Sequence, residues 1–115
     1  MAFQGSCHCG AVKFTVDADL PREAMSCNCS ICRRKGMLMA FFPVAKFKAE
    51  GEGALQAYQF NKHRLSHWFC KTCGIHTFAG GIGPDGNEMR AVNLRCVPEA
   101  DLDALKIQKF DGASV

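Results

Sequence analysis

No stretch of the 115-residue chain approaches the ~20 consecutive apolar residues that a membrane-spanning helix requires. The N-terminus, MAFQGSCHCGAVKF, lacks the charged stretch followed by an apolar run that marks a secretory leader. Both absences predict a soluble, cytoplasmic protein with no membrane partner. Tryptophan and tyrosine occur once each, and the nine phenylalanines are scattered rather than collected in one stripe, which predicts core filling. There is no repeat beyond the cysteine clusters, no low-complexity tract and no linker-like segment, so residues 1–115 are expected to form one domain. A strong charge of one sign is missing too. The formal net charge of +3 counts every cysteine as a neutral thiol, and seven thiolates around two zinc ions would bring it to about zero. Basicity this weak is a poor argument for a nucleic-acid partner.

Against those absences stand eight cysteines. An even number in a short chain can mean a disulfide framework. The missing leader argues against that, and so does the spacing, because C-x-C, C-x-C-x-x-C and C-x-x-C clusters hold neighbours too close to staple distant loops. Clustered thiols suit a metal. Around a tetrahedral zinc with bonds of about 2.3 Å, sulfurs stand roughly 3.8 Å apart, a spacing that either short motif can supply. Cys9 precedes Gly10 and Cys73 precedes Gly74, and glycine there permits a left-handed turn that aims backbone N–H groups at sulfur. Cys7, Cys9, Cys70 and Cys73 supply four thiolates, the count of a closed structural zinc. Spacing leaves the pairing open, since Cys7 and Cys9 could instead join Cys27 and Cys29. Four thiolates also hold iron or an iron–sulfur cluster; zinc is the expectation. Packing as small hydrophobes, the bland alternative, fits scattered cysteines better than paired ones.

The segment CNCSIC places Cys27, Cys29 and Cys32 in six positions. Three protein ligands are the count of a catalytic zinc whose fourth position is open to water or substrate. A remote fourth ligand would close it; Cys96 is the best candidate, with His8, His63, His67 and His76 behind it. Read by itself, Cys96 is a core cysteine beside Val92 and Leu94. Zinc with three thiolates carries one net negative charge, which blunts its power to activate water and disfavours hydrolysis. Such a site is better matched to a thiol substrate, bound as thiolate and presented as a nucleophile. Arg33, Arg34 and Lys35 follow at once and could offset the negative site or grip carboxylates of a peptide-like thiol.

The coarse element pattern is mainly β. Val12, Phe14 and Val16 alternate with Lys13 and Thr15, predicting a strand over 11–16. Further strands are expected over 37–42, 55–60, 65–69, 75–79 and 89–96, the last with Val92, Leu94 and Cys96 on its buried face. One or two short helices are expected. VPEADLDAL, residues 97–105, has Pro98 at a helix start, acidic residues in the first turn, and Leu102 and Leu105 on one side. SICRRKG, residues 30–36, predicts a single turn ended by Gly36.

CHCGAVKF, CNCSICRRKG, FCKTCGIHTF and VNLRCV, in this order and spacing, resemble the glutathione-dependent formaldehyde-activating enzyme family, related to centromere protein V. The likeness covers nearly the whole chain. It implies a "β-tent" of small antiparallel sheets, a structural zinc on Cys7, Cys9, Cys70 and Cys73, and a substrate-facing zinc on Cys27, Cys29 and Cys32. The implied activity adds glutathione to formaldehyde, giving S-hydroxymethylglutathione, a carbon–sulfur lyase-class reaction. Position in the family-like motifs makes His76, Asn93 and Arg95 candidate substrate groups beside Arg33 and Arg34. The competing reading is a non-catalytic zinc module for a protein or nucleic acid, drawing on Arg33 to Lys35 and on Phe41 and Phe42.

Overall fold

Alternation decides the first part of the chain. In the computed structural model, which describes residues 2–59, 65–83 and 85–114, β1 (Phe3–Ser6) and β2 (Lys13–Val16) pair antiparallel with Phe3 opposite Val16. Phe3, Phe14 and Val16 are buried while Lys13 stays in solvent. The chain continues through β3 (Glu23–Cys27), α1 (Ser30–Lys35), β4 (Met39–Pro43) and β5 (Phe47–Glu50). It then runs through β6 (Leu55–Tyr58), β7 (Ser66–Cys70), β8 (His76–Ile82), β9 (Glu88–Asn93) and β10 (Lys106–Phe110). The expected strand over 55–60 runs past Tyr58 toward Phe60, which lies outside the described residues.

Two sheets result, one of three strands in the order β1-β2-β5 and one of seven in the order β10-β3-β4-β9-β8-β7-β6. Neighbours pair antiparallel except β10, which lies parallel to β3. The molecule is mainly β, with small sheets and one α-helix among the described residues. Between the sheets the main core gathers Phe3, Phe14, Val16, Leu38, Ala40, Val92 and Leu94. A second cluster on Met37, Met39, Ala79 and Ala91 packs under Cys32. No helix among the described residues is long and apolar enough to cross a membrane.

The helix expected over 97–105 does not form. Its bonds are isolated turns, Val97 N–H to Leu94, Ala100 N–H to Val97 and Ala104 N–H to Asp101. Val97, Ala100, Leu102 and Leu105 all reach the core, and their spacing of three, two and three residues matches no single helical face. The strand expected to reach Cys96 stops at Asn93, whose side-chain oxygen accepts the Arg95 N–H and turns Leu94–Cys96 into a 3-10 turn. Asn93, expected on the opposite face from Val92, is itself buried.

Gly51, at the exit of β5, has φ +90° and presses against the Ala11 carbonyl, inside the loop that carries Cys7 and Cys9. Gly51→Ala should therefore destabilise the fold by about 3 kcal/mol, combining left-handed strain with a backbone collision. A urea titration followed by circular dichroism reads this; an unchanged midpoint would remove the contact from the account.

Candidate metal centres

Two turns bring the first four sulfurs together. Leaving β1, the chain folds over Cys7–Gly10 so that the Cys7 N–H bonds the Val12 carbonyl at 3.0 Å and the Val12 N–H reaches back to Cys7 Sγ at 3.3 Å. Leaving β7, it folds over Cys70–Gly74, closed by Gly74 N–H to the Cys70 carbonyl at 2.8 Å. Gly10 and Gly74 sit at φ 83° and 79°, the left-handed conformation their positions suggest. The Sγ atoms of Cys7, Cys9, Cys70 and Cys73 all lie within 4.8 Å of one another. Cys9 Sγ stands 3.7 Å from both Cys7 Sγ and Cys70 Sγ, close to the edge of a zinc–thiolate tetrahedron. Cys7 and Cys70 are buried beside Val12.

The thiols do not ionise together. The backbone N–H groups of Cys9 and Ile75 draw Cys73 down to about 6, and those of Cys73 and Thr72 draw Cys70 down. Cys9, though exposed, is partly desolvated: it receives the Ala11 N–H, yet that desolvation and its neighbouring sulfurs carry it up to about 11. N–H groups converging on sulfurs that compete for protons form a donor set that could hold a thiophilic cation.

The second cluster straddles the β3–α1 junction. Cys27 ends β3, Cys29 stands at the N-cap of α1, and Cys32 lies in the helix, with their Sγ atoms within 4.8 Å of one another. The Cys29 N–H points at Cys27 Sγ at 3.4 Å. Burial pushes Cys29 up, but the Cys32 N–H and the neighbouring thiols hold it below its ordinary value. Burial and then Cys29 push Cys32 up to about 12. Among the described residues no fourth Cys, His, Asp or Glu joins these three within ligand reach of one another.

None of the expected closing residues that the structure describes completes that cluster. Cys96 Sγ lies 3.7 Å from the His76 carbonyl and 3.6 Å from Asn93 Nδ2. Burial, then Cys7 and Cys73, push its thiol up to about 11, so it belongs beside the four-cysteine cluster and packs on the core. His8 is exposed and His63 lies outside the described residues. Arg33 and Arg34 are exposed on α1, Arg34 bonding its own helix at the Ser30 carbonyl. Arg95 spans to the end of that helix, its Nε 2.7 Å from the Gly36 carbonyl, and Asn93 Nδ2 bonds the His76 carbonyl at 2.9 Å.

Sequence reasoning missed the C-terminal segment. The parallel pairing of β10 with β3 carries 111–114 onto the three-cysteine cluster, where Asn28 grips it twice, Nδ2 on Asp111 Oδ1 and Oδ1 on the Ala113 N–H, both at 2.9 Å. A Cβ on Gly112 would stand 2.5 Å from Cys27 Sγ, so only glycine lets the backbone pass there. Asp111-Gly112 reads in the sequence as a turn, and nothing local signals the strand that delivers it.

The model of the glutathione-dependent formaldehyde-activating enzyme family matches residues 2–108. The chain belongs to this family. A curated relative from Halomonas elongata, named "Putative glutathione-dependent formaldehyde-activating enzyme", is 53% identical over 34 residues, which is 30% of this chain and 22% of the relative. The chain thus matches about a fifth of that relative's length. A crystal structure of a Rhodobacter sphaeroides protein superposes with a TM-score of 0.80 at 32% identity, covering 93% of this chain and 99% of that one.

In this formaldehyde-activating family member a second group of residues gathers around Lys35, on which Cys32 and Cys29 act. Lys35 is half-buried and its Nζ fully so; burial draws it down to about 8, while Cys32 and Cys29 pull the other way. His67 is buried on β7, and burial followed by the Lys35 charge brings it to about 4. His76, at the start of β8, is brought to about 4 by the same two causes and by His67. Both imidazoles are therefore neutral at pH 7. The sequence signal for Lys35 exists, since it stands three residues after Cys32, but it cannot be told from Arg33 and Arg34 without the fold.

Proposed function

We propose that this protein is a zinc-dependent thiol–aldehyde enzyme, in which Cys27, Cys29 and Cys32 hold the metal that takes a small thiol such as glutathione for addition to formaldehyde. The four-cysteine cluster is read as the structural zinc site. The observation that carries the reading is a three-sulfur cluster with a metal-sized spacing and no fourth ligand among the described residues. Zinc bound there would ionise a thiol and keep it nucleophilic at neutral pH.

The chain's own residues do the rest. The N–H of Cys29 and the start of α1 orient the sulfurs, while Met37, Met39 and Ala79 exclude water from the cluster's inner side. Arg33 and Arg34, exposed on α1, would meet the carboxylates of a peptide-like thiol. In the addition, thiolate sulfur forms a bond to the carbonyl carbon, the C=O π pair moves to oxygen, and the proton lost by the thiol returns to the alkoxide. The product is a hydroxymethyl thioether, the outcome of a carbon–sulfur lyase-class reaction run in the bond-forming direction.

Proton NMR of glutathione and formaldehyde with zinc-loaded protein tests this, with S-hydroxymethylglutathione expected to form well above the spontaneous rate. No acceleration across several thiols and aldehydes would reject the activity. Exposed Phe41, with Arg33 and Arg34, favours a second reading as a binding module. Affinity for DNA that falls with salt would support that one instead.

A further inference from the structure

Three basic residues occupy the last turn of α1, and the fold treats them differently. Arg33 and Arg34 face solvent. Lys35 turns inward, and its Nζ is buried with no hydrogen-bond partner. An ammonium removed from water without a counter-charge is costly, so its neighbours indicate what it serves. Cys32 lies one helical turn before it on the same face, and the thiols of Cys29 and Cys32 act on it electrostatically. Among the described residues the other titratable groups that feel its charge are His67 from β7 and His76 from β8. Neither brings negative charge. His76 Nδ1 is buried and lacks a hydrogen-bond partner as well. Among the described residues no carboxylate pairs with Lys35; the ion pairs lie elsewhere, Arg90 with Glu88 and Lys106 with Glu23.

We propose that Lys35 is the charge partner of the three-cysteine cluster and makes it select an anionic ligand, a thiolate, over a neutral donor. The inference rests on reading that cluster as a thiol-binding metal site. A divalent cation with three thiolates has one net negative charge, which the Lys35 ammonium cancels. A fourth thiolate then leaves the half-buried assembly with one negative charge instead of two, and the ammonium can donate a charge-assisted hydrogen bond to the incoming sulfur. A neutral ligand such as imidazole gains nothing from the lysine. Lys35 is thus a specificity-determining group, and Arg33 and Arg34, in solvent, cannot replace it.

The test uses the full chain loaded with cobalt(II), whose visible bands report ligand exchange without any turnover. The protein, Lys35→Met, Lys35→Gln and Lys35→Arg are titrated with 2-mercaptoethanol, which carries no carboxylate, and with imidazole. Met and Gln should each weaken 2-mercaptoethanol binding by about tenfold or more, equal to about 1.4 kcal/mol. Imidazole affinity should change by less than about threefold, and Arg should restore thiol binding to within about threefold. If Met and Gln take the thiol as tightly as the parent, the role of Lys35 is overturned while the thiol site stands. An effect in Met alone is a packing defect and overturns it too. If the unsubstituted protein takes no thiol, the functional reading falls first and the lysine's role with it.

Discussion

Cys70→Ser should yield a chain with no cooperative thermal transition. Cys70 is fully buried at the end of β7, and Cys7, with which it shares the cluster, is nearly so just after β1. The apolar support around them is small, essentially Val12 with partial cover from Ala54 and Leu55. An ion held by the four sulfurs would then supply most of the cohesion between the β1–β2 loop and the 70–73 turn. Structural zinc on peptide ligands is worth about 10–16 kcal/mol in apparent binding energy, against a total stability of about 5–15 kcal/mol for a domain. Losing one of four ligands removes enough of that to unfold the chain, and the serine hydroxyl is then a poorly bonded polar group in a dry site. Circular dichroism melts with metal analysis check this, and a strong chelator should mimic the substitution. A Cys70→Ser protein that melts cooperatively near the parent temperature would show that the four sulfurs do not carry the fold.

Strands that place large apolar residues at period two or in an unbroken run, or that adjoin a cysteine turn, are legible in the sequence. β2, β4, β6, β7, β8 and β9 are of this kind. The strands that escape notice lack that signal: β1 buries only Phe3 as a large side chain, β3 buries only Ala24, β5 offers only the half-buried Phe47, and β10, KIQKF, is exposed along its whole length. Hydrogen bonding to neighbours makes them strands, and pairing is a property of the fold rather than of local composition. Segment 97–105 fails in the opposite sense. Its helix-start residues are real, but four apolar side chains must all reach the core, and burial outweighs a propensity worth a few tenths of a kcal/mol per residue.

The candidate centres divide the same way. Short-range chelation is visible because C-x-C and C-x-x-C fix sulfur positions within one turn, and the glycines after Cys9 and Cys73 adopt the backbone angles their place implies. Which cysteine pairs meet depends on strand order, so spacing leaves it open where the fold brings Cys9 and Cys70 sulfurs to 3.7 Å. Contributions from far along the chain are invisible beforehand. Gly112 against Cys27 is delivered by a parallel strand pair, and His67 and His76, which feel the charge of the inward-turned Lys35, come from β7 and β8.

Cys29→Ala should give the opposite phenotype to Cys70→Ser, a folded protein without thiol–aldehyde activity. Cys29 is half-exposed at the N-cap of α1, where the Cys32 N–H polarises its sulfur without closing a capping hydrogen bond, so truncation removes little cohesion. Its backbone N–H, which points at Cys27 Sγ, is retained. What is lost is one of three sulfurs, and two thiolates hold zinc far more weakly than three. The expected result is one equivalent of zinc fewer per chain, a melting temperature within a few degrees of the parent, and a rate about a thousandfold lower or at background. Metal analysis and the NMR assay on one preparation separate the outcomes. Full zinc content with full activity in Cys29→Ala would mean that the three-cysteine cluster is not the reaction centre. Loss of activity together with loss of the fold would mean that both clusters are structural, since a reaction centre built on a surface helix turn should be removable without disturbing the sheets that carry it.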